Sequence, residues 1–375
     1  MVRDLMPVSD LYIIIGNGFD IECGLQTRYR DFLKFLTCVK NIIESEELEY
    51  KDLNPVILQK VSGSDFSQWN NVLHSFWYRH FANAGETIRG NWLDFENEIG
   101  RVVTMLEQSM TLQNGQLLTK DDAVVINKHS SLNGEISEFL QNVNRKSSRV
   151  QMESVEFQIS YQDLAQKLFV DLEFFLVALE SYLRDYISLL QPNVTANIET
   201  LLHQVERCDC RHILSFNYTD TFEKMLSACG IEAQYCYIHG RIKEGGENNL
   251  VLGFEEHLSG REYIPFAPFC KYNQRIFKET DSSYMDWLRH IGDNAVPRRG
   301  LTIFGHSLGL SDQDVLKAFI TGRQMETTIF YRSAETFSRM VGNLTEMIGR
   351  DEMILRNGGR SRTMKFVKQV VMDNL

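Results

Sequence analysis

The first apolar run of the chain is Leu11, Tyr12, Ile13, Ile14 and Ile15, and it breaks directly into Gly16-Asn17-Gly18-Phe19-Asp20. Five consecutive β-prone residues predict a buried strand. Two glycines spaced by one residue predict a tight turn that allows close backbone approach by a ligand. Gly24 follows, and Thr27 is expected to cap a helix carrying Phe32, Phe35, Leu36, Val39 and Ile43 on one face. The pattern then turns helical. Trp92, Phe95, Ile99, Val103, Leu106 and Met110 share one face, and Leu164, Leu168, Leu172, Leu176, Leu179, Leu183, Tyr186 and Leu190 keep a seam that Pro192 ends. Residues 113–150 are polar, with Asn-Gly pairs, and predict a long loop. After Thr200 short apolar runs (213–216, 235–238, 301–304, 328–331) alternate with helical segments near 219–229, 311–320 and 334–347.

That alternation predicts crossover helices on a parallel sheet. The expected fold class is therefore α/β, a Rossmann-like parallel sheet interrupted by a large helical insertion. The expected divisions are residues 1–60 and 200–349 for the sheet domain, 61–199 for the helical insertion and 350–375 for a C-terminal helical tail. Asp94 and Glu98 stand four apart on one helix face. Paired carboxylates suit acid/base chemistry, but a solvated face explains the same spacing.

Composition narrows the classes. Of 375 residues, 43% are hydrophobic and 24% charged, which are globular values. A net charge of −11 argues against a general nucleic-acid binder. Seven scattered cysteines suit a reducing cytoplasm, and the single Cys208-Asp209-Cys210 cluster is a poor zinc motif, so no metal is expected. Charges interrupt the first residues and no 18-residue apolar run exists, so neither a signal peptide nor a membrane span is expected.

In open parallel sheets ligands sit beyond the carboxyl ends of strands, and the polar residues there are distinctive. Asn217 follows one strand; its amide can hold a sugar hydroxyl or a water, or it can lie in a turn beside a cap at Thr219 or Asp220. His239 precedes Gly240 at a second strand end, where it fits a general base or a structural histidine. Gly305-His306-Ser307-Leu308-Gly309 matches the G-x-S-x-G elbow of serine hydrolases. No histidine follows His306, so Ser307 has no downstream base, and that chemistry is rejected. Position 21 is isoleucine, so the dinucleotide fingerprint G-x-G-x-x-G is broken and an ordinary NAD(P) dehydrogenase is disfavoured. A nuclease would need an acidic metal cluster, and none can be placed.

The ordered set is Ile15-Gly16-Asn17-Gly18-Phe19-Asp20 with Gly24-Leu25-Gln26-Thr27, Asn91-Trp92-Leu93-Asp94-Phe95-Glu96, Phe216-Asn217-Tyr218-Thr219, His239-Gly240 and Gly305-His306-Ser307-Leu308 with Asp312. Over nearly the whole chain it closely resembles the bacteriophage abortive infection AbiH family, which implies a bacterial antiphage role. The glycine loop, the strand-end asparagine and the His-Gly pair also resemble the sirtuin-like superfamily, whose defence members cleave NAD. By that resemblance Asn217 positions water and ribose and His239 acts as base. Gly16, Asn17, Gly18, Phe19, Asp20, Gly24, Thr27, Gly305, His306 and Ser307 would surround the dinucleotide. Asp20 replaces the serine of that pattern and Gln26 its proline, and the zinc cysteines of sirtuin deacylases are absent, so protein deacylation is disfavoured. The expected function is antiphage defence through binding and hydrolysis of NAD at the nicotinamide–ribose bond. The alternative is a non-catalytic nucleotide sensor or partner-binding component. A phage-encoded trigger and self-association are the further partners such a role admits.

Overall fold

The computed structural model describes residues 10–44, 53–61, 69–83, 92–110, 123–125, 158–242, 248–254, 261–291, 298–360 and 362–370. The chain forms two compact units. One comprises Met1–Thr27, Leu190–Leu250 and Lys278–Leu375; the other comprises Arg28–Leu189 and Val251–Phe277.

The first unit is built on a six-stranded sheet. Its strands are β1 (Asp10–Ile15), β2 (Cys210–Ser215), β3 (Gln234–Tyr237), β4 (Arg299–Phe304), β5 (Met325–Tyr331) and β6 (Met364–Lys368). All pairings are parallel and the spatial order is 3-2-1-4-5-6. This is the order of the doubly wound dinucleotide-binding sheet, with its topological switch point between β1 and β4. The mixed α/β fold with an open parallel sheet is as the alternation of strand and helix runs predicts. β1 lies centrally and Leu11–Ile15 are all buried, which is why it reads as an unbroken apolar run.

One sheet face carries Tyr12, Ile14, Leu214, Cys236, Leu301, Ile303 and Ile329. It packs on Trp287 and Ile291 of helix Tyr284–Ile291, on Val315, Leu316, Phe319 and Ile320 of helix Gln313–Ile320, and on Met340, Leu344 and Met347 of helix Ala334–Ile348. Helix Ala196–Glu206 is capped by Thr195 and reaches Thr302 of β4 through Gln204, Nε2 to Oγ1 2.7 Å. The terminal segment expected to be helical is helix only over Arg350–Asn357 and then enters the sheet as β6. Its Met-Lys-Phe-Val-Lys pattern is that of an edge strand, mostly half-buried, carrying two lysines.

The second unit is helical. Helix Tyr29–Ile43 buries Phe32 and Phe35 against Phe175 and Tyr182 of the long helix Tyr161–Asp185. Two sequence expectations fail in this region. Thr27 does not cap the helix: the N-cap is Arg28, whose N–H donates to Asp31 Oδ2 at 3.1 Å. Ile43 is exposed, because the buried stripe ends at Val39. Asp171 accepts from the Phe76 and Trp77 amides that open helix Phe76–Asn83. Glu96 forms a buried ion pair with Lys271, 2.8 Å. Glu98 is held by His80 (2.6 Å) and Arg101 (2.5 Å), so it serves a structural ion pair; the side chain of Asp94 lies outside the described residues, as do those of Trp92 and Met110. Of the polar stretch 113–150 only Ala123–Val125 is described, pairing antiparallel with Gln158–Ser160.

Candidate functional site

The site lies at the carboxyl edge of the sheet in the first unit, where β1, β2, β3 and β4 all end. Gly16 follows β1, Asn217 stands two residues beyond β2, His239 two beyond β3 and His306 two beyond β4. A parallel sheet puts all these ends on one side, which gathers positions more than 200 residues apart in the chain.

The two glycine turns interlock. Gly16 N–H donates to Phe304 O (3.0 Å) and Gly18 N–H to Gly305 O (2.8 Å), while Phe19 N–H turns back to Gly16 O (2.9 Å). A β-carbon on Gly16 would sit 2.5 Å from His306 Cα, and one on Gly18 2.7 Å from Gly305 Cα. Gly305 holds φ +72°, and its own β-carbon would meet Phe19 N at 2.2 Å. These glycines therefore serve main chain against main chain at the switch point. The Gly18 and Phe19 amides are used inside the protein rather than aimed at a diphosphate, and the helix they open, Gly18–Glu22, is only five residues long. Asn17 and Thr27 tie this loop to itself: Thr27 Oγ1 donates to Asn17 Oδ1 (2.7 Å) and Asn17 Nδ2 to Thr27 O (3.0 Å). Gly24, at φ +80°, ends the short helix; its N–H donates to Ile21 O, 3.0 Å.

Beneath the loop lies Asp20, 1% exposed. Its Oδ2 accepts from Thr219 Oγ1 at 2.6 Å. Burial pushes its carboxyl up to about 6, and the side chains of Thr219, Thr221 and Asn217 only partly offset that. Asp20 Oδ1 and Asn217 Oδ1 are both buried without a hydrogen-bond partner among the described residues. A buried polar atom left so costs about 1–3 kcal/mol, and native proteins rarely keep two side by side without use for them. Asn217 is held from below by its main chain, whose N–H donates to Ser215 Oγ at 3.2 Å.

The second group is a carboxylate between two histidines. Asp312 Oδ1 lies 3.0 Å from His239 Nε2 and Asp312 Oδ2 lies 3.5 Å from His306 Nε2. All three side chains are buried. The tautomer of His306 follows from its neighbours: Nδ1 accepts the Leu308 N–H (3.0 Å), so the proton sits on Nε2 and points to Asp312. The turn that does this is strained, since Leu308 is fully buried at φ +56°. Phe216 walls both rings, with centroids 4.4 Å from His306 and 5.3 Å from His239. Gly240 at φ +75° allows the chain to turn beside Asn249, whose O would be 2.1 Å from a β-carbon.

The strand ends thus bring together Asp20, Asn217, His239 and His306. Ser307 sits on the same turn; its carbonyl accepts from Asn343 Nδ2 at 3.5 Å, and helical structure starts only at Leu310, as a 3-10 turn Leu310–Asp312 leading into helix Gln313–Ile320, unlike an elbow that turns directly into its helix. Sequence reasoning did not assign site roles to Asp312, Thr219 or Thr221. Asp312 stands in the ordered motif set and Thr219 reads as a cap beside the Asn217 turn, so the signal is present but its chemistry is not legible; nothing in the sequence marks Thr221.

No helix among the described residues is long and apolar enough to cross a membrane. A comparison with curated proteins finds no significant match. The profile of the bacteriophage abortive infection AbiH family matches residues 11–332, from the first strand through β5 and so across the whole candidate site. The chain therefore belongs to the bacteriophage abortive infection AbiH family, and its role is in defence against phage.

Proposed function

We propose that the defence activity is hydrolysis of NAD at the nicotinamide–ribose bond, carried out at the carboxyl edge of the sheet. The observation that carries this reading is the pair of buried, unpartnered oxygens, Asp20 Oδ1 and Asn217 Oδ1, at the same sheet edge as a histidine hydrogen-bonded to a buried carboxylate. Two acceptors at one place suit vicinal ribose hydroxyls or a ribose hydroxyl and a water. In this reading the His239 Nε2–H donates to Asp312 Oδ1, the tautomer in which Nδ1 is the basic nitrogen of the ring.

In the reaction the C1′–N bond breaks and its electron pair goes to the pyridinium ring, which leaves as neutral nicotinamide. A water held by Asn217 forms the new C1′–O bond, and its proton passes to His239. The products are nicotinamide, ADP-ribose and a proton. No redox step and no peptide site are needed. The glycine turns enter this reading as the frame that fixes Asp20 and His306. The Gly18 and Phe19 amides are engaged within that frame, so the diphosphate would be bound elsewhere.

The test is incubation of the purified full-length protein with NAD and separation of the products. Nicotinamide release should fall about 10²–10⁴-fold in His239→Ala and in Asn217→Ala, with phage protection lost in cells and thermal stability kept. Ser307→Ala should be milder. Binding without turnover in the wild type would select the nucleotide sensor instead. Loss of activity in Ser307→Ala but not in His239→Ala would overturn the chemistry.

A further inference from the structure

At the opposite, amino edge of the same sheet a second cluster of reactive side chains is built into the central strands. Asp10 opens β1 and its register partner on β2 is Cys210; His212 is two residues further along β2. Residues in register, and residues two apart on a strand, share a sheet face, so the three side chains stand together. Cys210 Sγ lies 3.2 Å from His212 Nε2, and the carboxylate, thiol and imidazole ligand atoms all fall within 4.8 Å of one another. His212 is buried, stacks on Tyr12 (centroids 4.7 Å, 12° between planes) and touches the Trp287 ring at 5.0 Å. The Gln234 side chain also acts on this ring, although Nδ1 has no partner of full hydrogen-bond geometry among the described residues. This is a nine-tenths buried imidazole whose Nε2 is held against a thiol, with a carboxylate in reach.

We propose that Asp10, Cys210 and His212 bind one divalent cation of the zinc class, with the fourth position open to water or an outside ligand. The donor set decides the class. Thiolate with imidazole selects a borderline-soft ion over magnesium or calcium, and carboxylate completes a common mixed set. Bonds of ~2.0–2.3 Å in a tetrahedron separate ligand atoms by roughly 3.3–3.8 Å. The ligand atoms now lie within 4.8 Å of one another, so binding draws them closer together. Cationic side chains also face the cluster: Arg211 acts on Cys210, His290 on His212 and Arg299 on Asp10. Arg299 is the register partner of Asp10 on β4; its Nε is 3.8 Å from Asp10 Oδ2, and its terminal nitrogens donate to Ile291 O and His290 O. Arg299 is thus anchored by those carbonyls. A thiol ligates as thiolate, so uptake at Cys210 releases a proton. The ion would cross-link two central strands at the edge away from the catalytic residues. It is independent of what the other edge cleaves.

The probe is cobalt(II) added to EDTA-treated full-length protein. The expected result is a thiolate-to-cobalt charge-transfer band that saturates at one equivalent and is bleached by equimolar zinc. Cys210→Ser and His212→Gln should lose the band. Asp10→Asn should weaken cobalt binding by at least the ~10–100-fold that even an outer-shell partner is worth. Asp312→Asn, at the far edge, should keep the band in full. Absence of the band in the wild type, its persistence in Cys210→Ser, or its loss in Asp312→Asn would each overturn the site. Should His212→Gln fail to fold, Cys210→Ser decides alone, since Cys210 is only partly buried.

Discussion

Replacing Asp20 by asparagine should stabilise the sheet unit at neutral pH while removing its activity. The carboxyl is 1% exposed, its Oδ1 has no partner among the described residues, and burial raises it from 3.8 to about 6. Each decade of displacement is worth about 1.36 kcal/mol, so the ionised form costs the fold ~3 kcal/mol. The sign follows from proton counting. Between pH 4 and pH 6, roughly, the folded protein holds a proton that the unfolded chain has released, so stability falls as pH rises through that window and is flat above it. Asp20→Asn cannot ionise. Its advantage over the wild type should therefore be near zero at pH 4, open through pH 5–6 and reach up to ~3 kcal/mol by pH 7.5. The Thr219 hydrogen bond survives, because an amide oxygen accepts it as the carboxylate does. Hydrogen exchange of the β1 amides, wild type against variant at each pH, reads the sheet unit by itself. It also cancels Asp171, which burial raises to about 7 in the other unit of both proteins. A variant less stable than wild type at pH 7.5, or a difference that does not change with pH, would refute the reasoning. A strained or ill-solvated group kept at a cost in stability is what a working site predicts.

Gly18→Ala should lose about 1–3 kcal/mol in urea unfolding, because its methyl would stand 2.7 Å from the Gly305 main chain; unchanged stability would mean the two turns do not interlock. The bulkier Gly18→Val is accordingly expected to damage the fold and is unsuited as a test of ligand binding. Asp312→Asn should lower NAD turnover ~10²–10⁴-fold with little change in KM, and move the acidic limb of the pH–rate profile; a pure KM effect would remove Asp312 from the positioning of His239. In the helical unit Glu96→Gln removes the charge paired with the fully buried Lys271 ammonium and should cost about 3–5 kcal/mol, largely recovered in Glu96→Gln with Lys271→Met; an additive double mutant would show that the pair is not coupled.

What the sequence determined by itself was local. The run Leu11–Ile15 predicts a central strand because a strand covered on both faces has no polar side. The spacing of Phe32, Phe35, Leu36 and Val39 predicts a buried helix face because 3.6-residue periodicity leaves a stripe. The strand ends at Asn217, His239 and His306 were legible because polar residues after apolar runs mark where a parallel sheet meets its ligand side. The last strand was missed because an edge strand carries too few apolar residues to announce itself.

Only the tertiary structure decided what those residues face. Gly16 and Gly18 look like a phosphate cradle in one dimension, yet the main chain that fills them is Gly305 and His306, nearly 290 residues away. Thr27 looks like a cap until its hydroxyl is found on Asn17. Asp312 lies 73 residues from one histidine partner and six from the other, and no local pattern states that one carboxylate serves both. Asp10, Cys210 and His212 belong to no spacing motif, because their proximity comes from the register of β1 on β2. Periodicity encodes which side of an element is dry, a property of neighbours along the chain. Side-chain constellations are set by strand order and register, which depend on how all six strands pack at once.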